Sequence, residues 1–286
     1  MKILQSIDAL QSWRASQDDQ QGVGFVPTMG ALHEGHLALA QQSISDHATT
    51  VVSIYVNPTQ FNQAADLAAY PVDIEGDLAL LESIQCPAVF LPKHTDIYPG
   101  GVHAQHFDLN GLDLQLEGKL RPGHFQGVAT VVNRLFDLVQ PTKAYFGWKD
   151  FQQVKVIQRL AELRGGTPEI APQAIVRAQD GLALSSRNRR LTDAQRRAAP
   201  SIYGILDHIK RSNGSESPSH WRNVAGSMMS ATGHLDLEDL EFVNAETLEL
   251  LPADAPLKEF RGPIQLLISV FAGDVRLIDN DVAEWP

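Results

Sequence analysis

The chain has 286 residues, long enough for one large or two modest domains, and its 43% hydrophobic content supplies real cores. With 34 acidic against 23 basic residues it carries a formal charge of −11, which excludes a broad nucleic-acid footprint, because phosphate-backbone binding needs basic clusters. No apolar run reaches the roughly 18–20 residues of a membrane span, residues 1–8 lack a signal peptide's apolar core, and the single Cys86 excludes an intrachain disulfide or a cysteine-rich metal site.

The cytoplasm is therefore the expected compartment. Along the first half, short β-branched runs alternate with helical patterns. Residues 23–26 read as a buried strand; Leu37, Ala40 and Ile44 then recur at helical spacing from about His36. Residues 50–56 read as the next strand, 74–83 as a helix and 88–91 as a third strand, with Cys86 just before it as a buried structural thiol. A helical pattern over 128–139 precedes a strand over 143–146. This alternation predicts a parallel sheet with crossover helices, a Rossmann-like doubly wound α/β domain over residues 1–175 whose ligands sit at the carboxyl ends of the strands. Residues 28–36, 57–62 and 147–153 all follow strands and belong to that edge.

After Ile175 the texture changes. Thr192-Asp193-Ala194-Gln195 has the form of a capping box, and one helical stretch continues through Ile209 to a polar turn at 212–215. Residues 265–271 and 275–278 flank Ala272-Gly273-Asp274 as a hairpin. Residues 176–286 are thus expected to form a smaller α+β domain. No long low-complexity linker or internal repeat interrupts the chain.

The segment Pro27-Thr28-Met29-Gly30-Ala31-Leu32-His33-Glu34-Gly35-His36 joins a strand to a helix through a turn carrying two histidines. At a helix start, unpaired backbone N–H groups and the positive end of the dipole favour a phosphate. His33-Glu34-Gly35-His36 is one residue short of the H-E-x-x-H zinc pattern and has no apparent third ligand, so zinc is not expected. There is no G-x-x-x-x-G-K-[ST], and Gly22-Val23-Gly24 precedes a strand rather than a helix. Further phosphoryl contacts must come from elsewhere: Lys149 and Arg187 could supply them, with hydroxyls from Ser185 and Ser186, although as isolated residues Lys149 reads as a solvated surface lysine and the serines as turn formers. Gln60 and Gln153 follow different strands; their amides suit a ligand bearing hydroxyls and a carboxylate, and by residue type alone they read equally as exposed loop glutamines. Arg187, Arg189 and Arg190 make either a local positive field or a solvated helix entrance. Arg121, extended before Pro122, belongs with His124 and Phe125 to a substrate loop or to a plain turn.

The histidine string resembles the His-x-Gly-His signature of the nucleotidyltransferase superfamily. At full length it is similar to that of the pantothenate synthetase family, ligases that join pantoate to β-alanine with ATP. Four further segments carry the resemblance in the family's order across most of the chain: Asn57-Pro58-Thr59-Gln60-Phe61, Glu117-Gly118-Lys119-Leu120-Arg121-Pro122-Gly123-His124-Phe125, Phe146-Gly147-Trp148-Lys149-Asp150-Phe151-Gln152-Gln153, and Asp180-Gly181-Leu182-Ala183-Leu184-Ser185-Ser186-Arg187-Asn188.

The resemblance implies a homodimeric enzyme with a mobile cap over the nucleotide, using ATP, pantoate and β-alanine, with Mg2+ accompanying ATP and no nucleic-acid or membrane partner. It implies catalytic roles for His33, His36, Lys149, Ser185 and Arg187. Around ATP it places these residues together with Met29, Gly30, Gly147, Asp150, Val176, Leu184 and Ser186. Around pantoate and β-alanine it places Pro27, Thr28, Asn57, Gln60, Val132 and Gln153. Met29, Val132 and Phe151 are accounted for equally well by core packing. Asp77 is either an indirect Mg2+ site or part of an ordinary charged helix face. The chain departs from the family at Trp148, where Glu is common, and in having few acidic residues after the Gln60 loop, with Glu75 and Asp77 remaining.

The chemistry implied has two steps. A carboxylate is a poor acyl acceptor at neutral pH, so adenylation installs a leaving group that an amine then displaces, and no protein nucleophile is required. A nucleotidyltransferase that stops at adenylylating another small acceptor is the nearest alternative, and β-alanine-dependent AMP formation separates the two. A catalytically silent nucleotide-binding module is the other; turnover would dismiss it.

Overall fold

The apolar runs of the first half, with two further segments that hydrophobic pattern does not mark, pair into one six-stranded parallel sheet in the computed structural model, which describes residues 1–17, 22–61 and 64–285. In chain order this part comprises β1 (Lys2–Leu4), α1 (Ile7–Ala15), β2 (Val23–Thr28), α2 (Glu34–Asp46), β3 (Thr49–Ile54), α3 (Ala64–Ala68), α4 (Ile74–Ser83), β4 (Ala88–Phe90), α5 (His94–Ile97), α6 (Glu117–Leu120), α7 (His124–Val139), β5 (Lys143–Gly147), α8 (Phe151–Leu163) and β6 (Glu169–Gln173). The strand order is β1-β4-β3-β2-β5-β6, and every neighbouring pair is parallel.

Alternation along each strand builds two apolar layers, one on each face of the sheet. Phe25, Val51, Phe90, Ala144 and Phe146 join Phe125, Val128, Val132 and Phe136 of α7 and Val154, Ile157 and Leu160 of α8 on one face. Val26, Val52, Val89 and Tyr145 join Leu39 and Ala40 of α2 and Leu81 of α4 on the other. At Gly24 any Cβ would collide with the Ser43 hydroxyl, so the glycine lets α2 lie close against β2. Cys86 is buried, and burial pushes its thiol up to about 11, as an unreactive structural thiol requires.

The edge strands β1 and β6 escape a reading of hydrophobic pattern for a physical reason. β1 has three residues of which only Leu4 is buried, and β6 has no fully buried residue and contains Pro172, which an edge tolerates. Asn62, the end of the expected edge segment 57–62, lies outside the described residues.

The chain divides into two compact units, Met1–Ile175 and Val176–Pro286. The second contains α9 (Asp193–Ala198), α10 (Ser201–Arg211), α11 (Pro218–Ala231), β7 (Asp236–Asn244), β8 (Ile264–Ala272) and β9 (Val275–Ala283). Its strands form an antiparallel sheet in the order β7-β8-β9, packed on α10 and α11 through Ile202, Leu206, Trp221, Phe242, Leu266 and Leu277. Thr192 and Gln195 do form a reciprocal capping box. The single helix expected from there to Ile209 is instead two, parted at Pro200, whose ring removes a helix donor. β7 carries a register shift between Leu237 and Asp239, so its apolar residues lose the strict alternation that marks a strand.

Candidate active site

The chain runs from β2 outward to β3 and β4, then returns to β5 and β6 on the other side of β2. The order therefore reverses between neighbours β2 and β5, the point where an open α/β sheet leaves a crevice at its carboxyl edge. The segments after β2, β5 and β3 carry Met29 to His36, Trp148 to Gln153 and Asn57 to Gln60, so three of the five motifs share this edge.

The turn after β2 is held by backbone and side-chain bonds together. Thr28 Oγ1 donates to the Ser53 carbonyl at 2.8 Å and accepts the Gly30 N–H at 3.2 Å. Gly30 has φ +81°, and a Cβ there would meet Asp77 Oδ2 at 2.9 Å and Ile54 Cγ2 at 3.0 Å; backbone and space both demand glycine. The two Asp77 oxygens accept the N–H groups of Ala31 at 2.8 Å and Leu32 at 2.6 Å. Asp77 is fully buried, not on a charged helix face. Both oxygens serve the main chain, so Asp77 anchors the turn. Among the described residues no three His, Cys, Asp or Glu side chains converge to hold a metal.

His33 is the extended N-cap of α2. Its Nδ1 accepts the Gly35 N–H at 3.1 Å, and its carbonyl accepts from His36 and Leu37 at 2.8 and 3.1 Å. This corrects the expectation that unpaired backbone donors greet the phosphate: the donors of residues 31, 32, 35 and 36 are engaged within the protein. An Nδ1 that accepts carries no proton, so the neutral His33 ring bears its N–H at Nε2. The His36 ring lies against it, with centroids 4.1 Å apart and planes tilted by 36°.

At the end of β3, Asn57 and Gln60 are both buried. Gln60 Oε1 accepts from Asn57 Nδ2 at 3.1 Å, and Gln60 Nε2 donates to Met29 Sδ at 2.8 Å, tying the β3 loop to the β2 loop. The Gln60 carbonyl accepts from His124 Nδ1 at 2.7 Å and Arg121 Nη2 at 3.1 Å, while Arg121 Nη1 lies 3.3 Å from His124 Nε2. A carbonyl only accepts, so His124 donates from Nδ1 and receives the Arg121 proton at Nε2. Burial, then the Arg121 charge, push His124 down to about 4, against smaller opposing effects of the Gln60 bond, Glu117 and Asp150. Of the two readings of this cluster, the structure gives a brace for the Gln60 main chain, with Phe125 in the core.

After β5, Lys149 and Asp150 form an ion pair at 3.6 Å, with the lysine largely shielded. The adjacent glutamines part company. Gln152 is buried and bonds Leu112 O, Gln115 O and Glu117 N, clamping residues 112–117 to α8. Gln153 is partly exposed and, among the described residues, makes no side-chain hydrogen bond. Trp148 stacks on Phe151 at 5.3 Å and packs on the core. Val132 is buried in the layer under α7, and Pro27 and Gly147 are partly buried at the strand ends.

In the second unit the Asp180–Asn188 segment is a hairpin leading into a 3-10 turn. Leu184 N–H donates to Val176 O at 3.0 Å, which brings those two residues side by side. Ser185 caps the turn Ser186–Arg190 by accepting the Arg187 N–H at 3.3 Å. Arg177 secures the hairpin: its guanidinium bonds Asp279 bidentately at 2.6 and 3.0 Å, reaches Gly181 O and Asn280 O, and lies 3.9 Å over the Tyr203 ring. Sequence reading missed Arg177 and Asp279, which are 102 positions apart and share no spacing signal. It also missed Tyr98, whose hydroxyl bonds Asn57.

Residues 2–282 match the family model described as pantoate-beta-alanine ligase. The pantothenate synthetase of Christiangramia forsetii is 40% identical over 272 residues, covering 95% of each chain. Among solved structures, pantothenate synthetase from Thermus thermophilus superposes with a TM-score of 0.87 at 38% identity, covering 98% of this chain and 99% of that one. Pantoate-beta-alanine ligase from Francisella tularensis, complexed with beta-gamma ATP and beta-alanine, gives a TM-score of 0.82 at 35% identity, covering 99% and 97%. With the family model spanning nearly its whole length and three of the five motifs at the strand ends where such a sheet binds ligands, this chain belongs to the pantoate-beta-alanine ligase family.

Proposed function

We propose that the chain condenses pantoate with β-alanine at the expense of ATP, releasing AMP and pyrophosphate. A pantoate carboxylate oxygen attacks the α-phosphorus, the bond to the bridging oxygen of the β-phosphate breaks, and pyrophosphate leaves. The β-alanine nitrogen then attacks the acyl carbon of pantoyl adenylate, AMP departs and the amine loses a proton. The observation that carries this reading is the Gln60–Met29 bond: the loop suited to a hydroxy acid is joined to the loop suited to a nucleotide, side by side at one sheet edge.

In this reading His33 Nε2–H, His36 and Lys149 donate to phosphoryl oxygens as charge moves to the leaving pyrophosphate. Met29, Gly30, Gly147 and Asp150 border the nucleotide. Gln60, Gln153, Asn57, Thr28, Pro27 and Val132 border the pantoate, where alignment of carboxylate and phosphorus does most for the rate. For Val176, Leu184, Ser185, Ser186 and Arg187 the proposal of nucleotide contact rests on their motif alone. ATP enters with Mg2+ as part of the substrate. A homodimeric, cytoplasmic enzyme is proposed from family membership; light scattering tests the assembly. No helix among the described residues is long and apolar enough to cross a membrane.

Incubation of purified protein with ATP, Mg2+ and pantoate, with and without β-alanine, tests the function. Multiple turnovers of AMP and pantothenate are expected only when β-alanine is present. AMP release indifferent to β-alanine would point to adenylylation of a different acceptor.

A further inference from the structure

Asn57 sits at the centre of a chain of bonds whose direction can be read. Its Nδ2 donates to the Gly127 carbonyl at 3.2 Å, and a main-chain carbonyl accepts only, so the orientation of the Asn57 amide is settled. Its Oδ1 then faces two hydroxyls: Tyr98 donates to it at 2.5 Å, and Thr59 Oγ1 lies 3.1 Å from it and 2.8 Å from the Tyr98 oxygen. The remaining Nδ2 proton goes to Gln60 Oε1, which leaves Nε2 as the other face of that amide, with one of its two protons on Met29 Sδ. Gly127 is pressed against this segment, since a Cβ there would collide with the Thr59 carbonyl.

We propose that Tyr98 is a positioning residue for the hydroxy-acid substrate: acting through Asn57, it holds the Gln60 amide with its oxygen turned inward and its N–H face toward the ligand. The inference rests on the reading of Gln60 as a pantoate contact. It goes further by stating that Gln60 presents to the ligand the Nε2 proton not used on Met29 Sδ, and so recognises an acceptor, a hydroxyl or carboxylate oxygen. Without the Tyr98 proton, Asn57 Oδ1 loses its shortest bond, and the amide pair is held less firmly, by the Gly127 carbonyl and Thr59 Oγ1 alone. Tyr98 is buried, and burial raises its phenol above the ordinary tyrosine range, so it remains a donor at neutral pH.

The test compares Tyr98→Phe, which keeps the ring, with Tyr55→Phe, which removes a hydroxyl bonded to His94 at 2.7 Å and not to Asn57. The side-chain NH2 signals of Gln60, assigned by their loss in Gln60→Ala, are followed by NMR in the ligand-free protein alongside steady-state kinetics. Tyr98→Phe is expected to move the Gln60 NH2 signals and raise the pantoate KM about five- to tenfold, the weight of one hydrogen bond, with kcat within about threefold. Tyr55→Phe is expected to change neither. If Tyr98→Phe does not fold, Thr59→Val carries the same expectation from the other hydroxyl. Unmoved Gln60 signals, or equal effects of the two tyrosine variants, would overturn the proposal. A parent enzyme with no pantoate-dependent turnover would instead overturn the proposed function, and the NMR comparison would still decide whether Tyr98 orients Gln60.

Discussion

Asp77, in the first turn of α4, binds the N–H groups of Ala31 and Leu32 with its two carboxylate oxygens, and so fixes the turn that delivers His33 to the start of α2. Asp77→Ala strands two buried donors, each costing about 1–3 kcal/mol. A drop of about 2–4 kcal/mol in unfolding free energy is expected from urea titration, with lowered pyrophosphate release. Asp77→Asn keeps one acceptor and should lose less. Equal, near-parental stability of both variants would refute the anchoring role.

His36→Ala and Lys149→Ala each remove a donor aimed at charge that develops during adenylation. Pyrophosphate release is expected to fall by on the order of 10²–10³, with far-UV circular dichroism unchanged. Near-normal rates in folded variants would rule out these assignments.

His124 gives stability a defined pH dependence. A histidine in the unfolded chain takes up its proton near 6.5, whereas burial and Arg121 delay protonation of the folded His124 to about 4. Between these values the unfolded state holds the extra proton, so its contribution to stability is fully present above about 6.5 and declines on acidification. The loss should reach about 3 kcal/mol near pH 4. His124→Asn keeps a donor for the Gln60 carbonyl but does not titrate. Urea midpoints across pH 4–7 should therefore be flatter in the variant, and an unchanged slope would contradict the assignment.

The neighbours Gln152 and Gln153 should behave differently. Gln153→Ala is expected to raise the pantoate KM and leave ATP affinity and stability near parental, as is Gln60→Ala for ATP affinity, measured by calorimetry. Gln152→Ala releases residues 112–117 and should lower the melting temperature by several degrees, in line with a loss of about 1–3 kcal/mol. Comparable losses of ATP affinity in Gln60→Ala and Gln153→Ala would mean that these amides serve the nucleotide.

Trp148→Glu introduces the residue that the family resemblance implies at this position and removes the stack on Phe151. A stability loss of about 1 kcal/mol is expected, with kcat/KM within several-fold of the parent. A drop of about 100-fold, more than 2 kcal/mol in the transition state, would place Trp148 in the chemistry.

The amino-acid sequence by itself determined the α/β alternation, the hairpin around Gly273 and the edge on which the motifs sit. Apolar period, caps and turn residues are local properties, and a loop after a buried parallel strand must emerge at its carboxyl end. His33, His36, Lys149 and the glutamines came forward as candidates through the resemblance of their motifs to the family, with residue type permitting the roles. Tertiary structure alone decided which groups these residues meet. The bond from Asp77 to Ala31 spans 46 positions and the one from His124 to the Gln60 carbonyl spans 64, and neither leaves a periodic trace. It likewise decided that His33 spends Nδ1 on capping its own helix, that Gln152 is a clamp while Gln153 is not, and that Asn57 lies between the Gly127 carbonyl and the Tyr98 hydroxyl. Hydrophobic period reports which face is buried; hydrogen-bond direction depends on which donor and acceptor the fold brings within about 3 Å, and that is set by strand order rather than by spacing along the chain.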